Sequence, residues 1–358
     1  MKFLRLPFIL LNLIAALLLI CSTLAGAVAP SHFVWLSLLS YAYFPLLLVN
    51  LGFVAFWLIF SNKWFLLSAI AIVVRWSFVP LFFQVGGAPE EPTYAENTMK
   101  VMTFNMHHLY GHTYIADEEE KSDADSNAIV LLDLLHQENP DVLFFQEFLS
   151  HSKHITITDS LDAMGYKWYA SAVPDSKGSA SICWSKYPIA DIVYIDSVLK
   201  VQADVVKGTD TIRIVSIHLN SYGLTKDNME ELDKISHGEV HNIAETGTLK
   251  KFRETILSHD KEWNILAPII DNTPYPIIIA GDFNDTPASY IYQKMSKKLN
   301  DSYKEKGKGF CTTYHGRFPA FRIDYIMHSP QLKALSYKRI KTDISDHYPI
   351  FVEMELIK

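Results

Sequence analysis

The sequence predicts a mixed α/β domain with packed sheets, preceded by a membrane-anchoring segment. Three observations predict it. From Leu6 to Asn62 there is no Asp, Glu, Lys or Arg. Beyond Thr93, short runs rich in β-branched and aromatic residues recur, with helical patterns between them. Several of those runs end in a carboxylate, an Asn or a His, where a turn residue would suffice.

The uncharged stretch is long enough for two crossings of roughly 20 residues each. Pro30-Ser31-His32 marks the turn, which places the crossings at about Leu6–Ala29 and Phe33–Phe60. A further apolar run, Trp64–Phe83, predicts a third crossing, although Arg75 near its middle is costly there unless paired or reaching the interface. The competing reading is a cleaved signal peptide, with Lys2 and Arg5 as its basic start and Ala25-Gly26-Ala27 as its small-residue site. Lys2, Arg5 and Lys63 place the first and third flanks in the cytoplasm. With three crossings, everything after Val85 lies outside; a re-entrant third run would return it to the cytoplasm. This organises the chain as an anchor at 1–85, a linker at 86–98 containing Gly86-Gly87-Ala88-Pro89, and a catalytic domain at 99–358.

Charge narrows the partners. The chain carries −7 overall, and its first 92 residues hold four basic and two acidic groups, which leaves −9 for the remainder. A domain that acidic lacks the electrostatic footprint of general duplex DNA binding. Cys21, Cys183 and Cys311 show neither metal spacing nor a disulfide framework.

The strands are expected at Met99–Asn105, Val142–Glu147, Ser179–Trp184, Thr211–Asn220, Ile277–Asn284, Arg322–Met327 and Ile350–Ile357. Helices are expected at Asn127–Glu138, which spaces Ile129, Val130, Leu132 and Leu135 at helical intervals before Pro140, and at Lys250–Ile270. The acidic loop at 116–126 lacks the glycine and spacing of a calcium loop and reads as solvated surface.

Each polar strand end is weak evidence alone. Asn105 could be a turn residue, and Glu147 could reach solvent. His218 and Asn220 alternate with Ile217 and Leu219, so they share one face. Asp282 and Asn284 share a face beyond the apolar run at 277–280. Asp324 lies within a strand and needs a partner if buried. Asp346-His347 supplies a carboxylate and an imidazole. Together they offer a hard, oxygen-rich ligand set that suits Mg²⁺ and phosphate esters better than zinc.

The ordered series TFN (103–105), QE (146–147), HLN (218–220), GDFN (281–284), RIDYI (322–326) and SDH (345–347) resembles the endonuclease/exonuclease/phosphatase superfamily. The resemblance covers roughly Met99 to Ile357. It implies a four-layer α/β sandwich, two packed β-sheets flanked by helices, and a Mg²⁺-dependent phosphoesterase, with Mn²⁺ as an alternative ion. It also implies roles. Glu147 is the principal metal ligand, with Asn105 and Asp346 beside it. Asp282 orients or deprotonates the attacking water, Asn284 holds the phosphate, and His347 contacts the phosphate and is oriented by Asp324. His218 and Asn220 lie by the scissile phosphate. Arg317 and Arg322 are candidate phosphate contacts, Arg322 equally a structural ion-pair partner. His107, His108 and the long segment Ser221–Asp271 depart from the pattern.

The substrate classes left open are a lipid headgroup, another small phosphodiester, and nucleic acid outside the cytoplasm, the last fitting the charge less well. No protein partner is expected. A non-catalytic binding module on the same fold is the second functional class, and a transporter or sensor built around Arg75 is the third.

Overall fold

The computed structural model describes residues 5–357 except 61, 88, 92, 94, 112–123, 151–153, 173–180, 196–199, 224–226, 229, 232–233, 235–236, 238–245 and 317–320. Lys2, most of the acidic loop and Arg317 therefore lie outside the described residues. Two compact units emerge. One comprises Met1–Phe83, Tyr222–Asn264 and Asp285–Met295; the other comprises Gln84–Ser221, Ile265–Asn284 and Ser296–Lys358.

In the first unit, two stretches are long and apolar enough to cross a membrane, Leu6–Leu24 and Val34–Ile59. This corrects the expectation of three. The third run forms a helix only over Phe65–Val74, stops at Arg75 and continues as a 3₁₀ segment, Trp76–Leu81. Pro80 explains the break, because it lacks the N–H for a helical bond and crowds the carbonyl four residues earlier. Pro45 acts similarly on the second stretch, where Leu39–Ala42 is 3₁₀ before the helix Tyr43–Ile59 begins.

These helices pack polar atoms inward and apolar side chains outward. Asn12, Asn50 and Ser68 are fully buried. The Ser68 hydroxyl lies 2.5 Å from Asn12 Oδ1 and 2.7 Å from Asn50 Oδ1, and the two amides donate to the carbonyls of Trp64 and Ala15. Leu10, Ile14, Leu17, Leu51, Leu58 and Ile70 are exposed.

The second unit holds two six-stranded sheets. Their strands are β1 (Thr98–Asn105), β2 (Val142–Gln146), β3 (Trp168–Ser171), β4 (Ile182–Ser185), β5 (Ile189–Tyr194), β6 (Lys200–Lys207), β7 (Asp210–His218), β8 (Ile277–Asp282), β9 (Asn300–Asp301), β10 (Asp324–His328), β11 (Leu332–Arg339) and β12 (Ile350–Leu356). One sheet runs β11-β12-β1-β2-β4-β3 and the other β9-β10-β8-β7-β6-β5. Each has one parallel pair at its centre, β1 with β2 and β7 with β8.

Period-two alternation decides which side chains face the partner sheet. Val101, Val142, Phe144, Ile212, Ile214, Ile278, Ala280 and Ile326 fill the core between the sheets. Met102, Phe104, Leu143 and Phe145 point the other way and meet Ala128, Leu131 and Leu135 of the helix Ala124–Glu138. That stripe differs from the expected one: Leu135 is buried, but Ile129 and Val130 are exposed. The helix ends where Asn139 turns to φ 48° ahead of Pro140. The second expected helix is present and slightly longer, Gly247–Asn272.

Candidate active site

The same alternation that fills the inter-sheet core delivers the polar residues. Asn105 continues the face of Val101 and Thr103, Asp282 that of Ile278 and Ala280, and His218 that of Ile212 and Ile214. A polar floor precedes them. Thr103 Oγ1 donates to Gln146 Oε1 at 3.4 Å, and Gln146 Nε2 donates to Ser216 Oγ at 3.5 Å. The core therefore grades from apolar to hydrogen-bonded to ionisable along the strands.

Asp282 is the centre of the cluster. It is paired in register with Asp324 on the antiparallel neighbour and with His218 on the parallel one. Its Oδ2 accepts from Asn105 Nδ2 at 3.0 Å, and its Oδ1 accepts from the Asn284 backbone at 2.8 Å. His218 Nε2 lies 3.7 Å from Asp282 Oδ2 and 3.8 Å from Glu147 Oε1, and it has no hydrogen-bond partner. Close strand approach demands Gly281: a Cβ there would lie 1.8 Å from the Ile217 carbonyl oxygen, and its φ is 144°.

His347 sits between the two aspartates. Its Nδ1 is 2.9 Å from Asp324 Oδ2 and its Nε2 is 3.8 Å from Asp282 Oδ2. Ser345 Oγ receives the His347 N–H at 3.1 Å and donates to the Asn105 carbonyl at 2.8 Å, which ties the SDH turn to β1. Thr313 Oγ1 accepts from the backbone N–H groups of Ile323 and Asp324 at 3.0 Å each. Glu147 and Asn284 end their strands in the left-handed region, at φ 49° and 48°. Such conformations persist where surroundings enforce them. For Asn284 the enforcement is visible: its Nδ2 donates to the Leu219 carbonyl at 2.9 Å.

The electrostatics follow from this packing. Burial, reinforced by the Asp324 charge, pushes the Asp282 carboxyl up to about 6 against the opposing pull of His347, His218 and Asn105. Burial disfavours a His347 cation, but the Asp324 and Asp282 carboxylates outweigh it and hold the imidazole well above its ordinary value. Burial likewise acts against ionised Glu147, and four imidazoles (His218, His107, His108 and His347) outweigh it and lower its pKa.

His107 and His108 find a place that the sequence did not specify. His107 Nδ1 is 3.5 Å from Asp346 Oδ1, and His108 Nε2 is 3.8 Å from Glu147 Oε2. Thr313, Ser345 and Gln146 were also missed as supporting groups, although Ser345 stands inside the SDH signature. Asn220 lies just past β7 and is half-buried. Arg322 is not a phosphate contact. It is buried, its Nη1 pairs with Asp301 Oδ2 at 2.8 Å, and its guanidinium lies over the rings of Tyr303 and Tyr325.

The donor set fits a divalent cation. Asp346 Oδ1 is buried without a hydrogen-bond partner, its nearest ionic neighbours being His107 at 3.5 Å and His347 at 4.0 Å. Among the described residues, the tightest group of ligand atoms is Asp282, Asp324 and His347, all within 4.8 Å of one another. His347 Nδ1 in that group lies 2.9 Å from Asp324 Oδ2, and the two carboxylates raise the pKa of the imidazole and favour its cation, which disfavours a metal ion there. Of the expected metal ligands, Asn105 and Glu147 are brought together, with Asn105 Nδ2 donating to Glu147 Oε1 at 3.3 Å.

Comparison with known proteins identifies the family. A family model described as the Endonuclease/Exonuclease/phosphatase family matches residues 102–347. A domain family of unknown function matches residues 2–82. No match was found among curated proteins. Among solved structures, the human Nocturnin catalytic domain with bound sulfate is 16% identical over 75% of this chain and 97% of its own, with a TM-score of 0.50. A humanised TDP2 from D. rerio is 15% identical over 72% of this chain and 99% of its own, also at 0.50. An endonuclease/exonuclease/phosphatase from Beutenbergia cavernae is 17% identical over 73% and 72%, at 0.48.

Proposed function

Because the chain belongs to the endonuclease/exonuclease/phosphatase family, a group of phosphoester hydrolases, we propose that it is a membrane-tethered, Mg²⁺-dependent phosphodiester hydrolase. The observation that carries the proposal is Asp282 held in register between His218 and Asp324, with His347 bridging the two aspartates. No member of that arrangement is replaced by an inert residue, which disfavours a binding module.

In this reading Asp282 takes the proton of the attacking water. A buried carboxylate tuned to about 6 is a competent base near neutral pH. The Asp324 and Asp282 carboxylates raise the His347 pKa and favour its cation, which suits it to stabilise the phosphoryl oxygens and donate to them rather than to take the proton. Asp324 orients its ring. His218, Asn220 and Asn284 contact the phosphate, with Asn284 anchored by the Leu219 carbonyl. Glu147, Asn105 and Asp346 would hold the Mg²⁺, or Mn²⁺ in its place, and the bound ion would supply Lewis-acid polarisation of a phosphoryl oxygen and neutralise charge. Arg317, proposed as a further phosphate contact from the sequence, lies outside the described residues.

The tether is supported by the inverted packing of the first unit. Small and amide side chains meet inside while leucines and isoleucines face out, the pattern of helices in lipid. Sidedness rests on the return run, not on a third long helix. Phe8 stacks on Phe56, so Arg5 and Lys63 share one end of the bundle. Ser68 meets Asn50, the Tyr43 hydroxyl reaches the Arg75 carbonyl, and Phe82 stacks on Tyr43, so residues 65–82 travel back along Tyr43–Ile59 to the other end. Basic residues mark the cytoplasmic end, so the chain beyond Phe83 emerges outside the cytoplasm.

A lipid headgroup or small phosphodiester suits the −9 balance of the domain better than nucleic acid does. The test is hydrolysis by the full-length protein in detergent, with Mg²⁺ or Mn²⁺, of a phospholipid panel, single- and double-stranded DNA, and bis-p-nitrophenyl phosphate. Preference for DNA would replace the lipid reading with a nuclease; turnover of none by folded protein would favour the binding module.

A further inference from the structure

Residues 222–264 and 285–295 interrupt the sequence of the catalytic motifs, yet they pack with the N-terminal helices in one compact unit. Four separate contacts join them to the turn between the two apolar stretches and to the start of the second stretch. Gly26 lies so close that a Cβ would sit 2.5 Å from Gln293 Cγ and 3.0 Å from the Ala288 carbonyl oxygen. The Ser31 backbone donates to Asp260 Oδ2 at 3.3 Å. Thr286 Oγ1 donates to the Ser40 carbonyl at 3.4 Å. The fourth contact is a buried polar network. Tyr41 donates to Asp285 Oδ1 at 2.8 Å and so receives the Tyr222 hydroxyl at 2.5 Å, while His259 Nδ1 lies 3.1 Å from Asp285 Oδ2. Ala288 is fully buried among Ala16, Leu19, Tyr43, Leu47, Ala71 and Ile72.

We propose that 222–264 and 285–295 are a receptor for the N-terminal helices, locked by the Tyr41–Tyr222–Asp285–His259 network, and that those helices are a permanent part of the folded enzyme. The long segment between the HLN and GDFN motifs is then a docking element for the anchor. Ala25-Gly26-Ala27 is a packing site: Ala25 is fully buried, and Gly26 admits no side chain. A signal peptidase needs that stretch extended and accessible, and here it is a turn with Ala25 and Gly26 buried. The network also resists dissociation, because separating Tyr41 from Asp285 leaves a buried carboxylate short of a donor. None of this depends on the phosphoesterase reading.

The test uses the full chain with a protease sequence inserted at Val85, which is 90% exposed and follows the N-terminal segment of the first unit, Met1–Phe83. The protein is immobilised in mild detergent through a C-terminal tag, cut, and washed with enough detergent to separate independent micelles. The N-terminal fragment is expected to stay bound in the wild type. Asp285→Ala with Tyr41→Phe, and separately Gly26→Leu, should release it at least tenfold faster. Mass spectrometry of uncut protein should show the N-terminal helix retained. Release of the wild-type fragment on cutting, variants that hold it as firmly as wild type, or a mature N-terminus at 26–28 would each overturn the proposal.

Discussion

Asp282 and Asp324 are direct cross-strand partners, and the imidazole of His347 lies 2.9 Å from one and 3.8 Å from the other. Two buried carboxylates in register repel each other. His347 relieves part of the repulsion, while burial, with the remaining Asp324 charge, raises the Asp282 pKa. The site's acid–base behaviour follows from this triangle.

The triangle predicts a pH profile. With Asp282 as base, kcat/KM rises through an acidic limb near pH 6 in the wild type. Asp324→Asn removes the charge that raises Asp282, so the limb moves to lower pH. The same change loosens His347 and should cost about 10²–10⁴ in kcat. An unchanged limb in Asp324→Asn would refute the coupling.

It also predicts a stability change. A carboxyl whose folded pKa is raised contributes stability below its unfolded value, and that contribution is lost as pH rises through the folded one. For Asp282 the window runs from about 4 to about 6. Above it, the buried carboxylate costs the metal-free fold about 3 kcal/mol at one pKa unit per 1.4 kcal/mol. Asp282→Asn should therefore melt at a higher temperature than wild type at pH 8 in chelator, and near wild type at pH 4.

Metal binding should be visible without turnover. Mg²⁺ or Mn²⁺ raises the melting temperature of the wild type by mass action, and chelator reverses it. Glu147→Gln should abolish the shift. Asp324→Asn should retain it, since Asp324 is bonded to His347 and not to the ion. The opposite pattern would move the ion to the Asp282–Asp324–His347 group.

Arg322→Ala separates fold from chemistry. It strands Asp301, 3% exposed, without its cation, which typically costs about 3–5 kcal/mol. Below the lowered melting temperature, kcat should stay within about twofold of wild type.

Much of this was legible in the sequence, for physical reasons. The seven strands that were placed are short and mostly apolar, and five of them carry motif residues; their boundaries were off by a few residues. β6 was missed because Lys200, Gln202 and Asp204 interrupt it. Only Val201, Ala203 and Val205 face the core, while Asp204 meets Arg213 across the strand pair in two 2.8 Å bonds. β5 was missed because five of its six residues are exposed, so it carries no burial pattern. The third crossing failed on Pro80, a local veto that hydropathy does not register. Arg322 opens the RIDYI motif, but only the fold shows that Asp301 and two tyrosine rings enclose it.

The most direct measurement is hydrolysis of bis-p-nitrophenyl phosphate by full-length, detergent-purified protein stripped of metal, then supplied with Mg²⁺ or Mn²⁺. The wild type should be inactive without metal and active with it, while Asp282→Ala and His347→Ala each lose at least a thousandfold and together lose little more. Wild-type turnover that persists without metal, or that survives in either variant, would contradict the account.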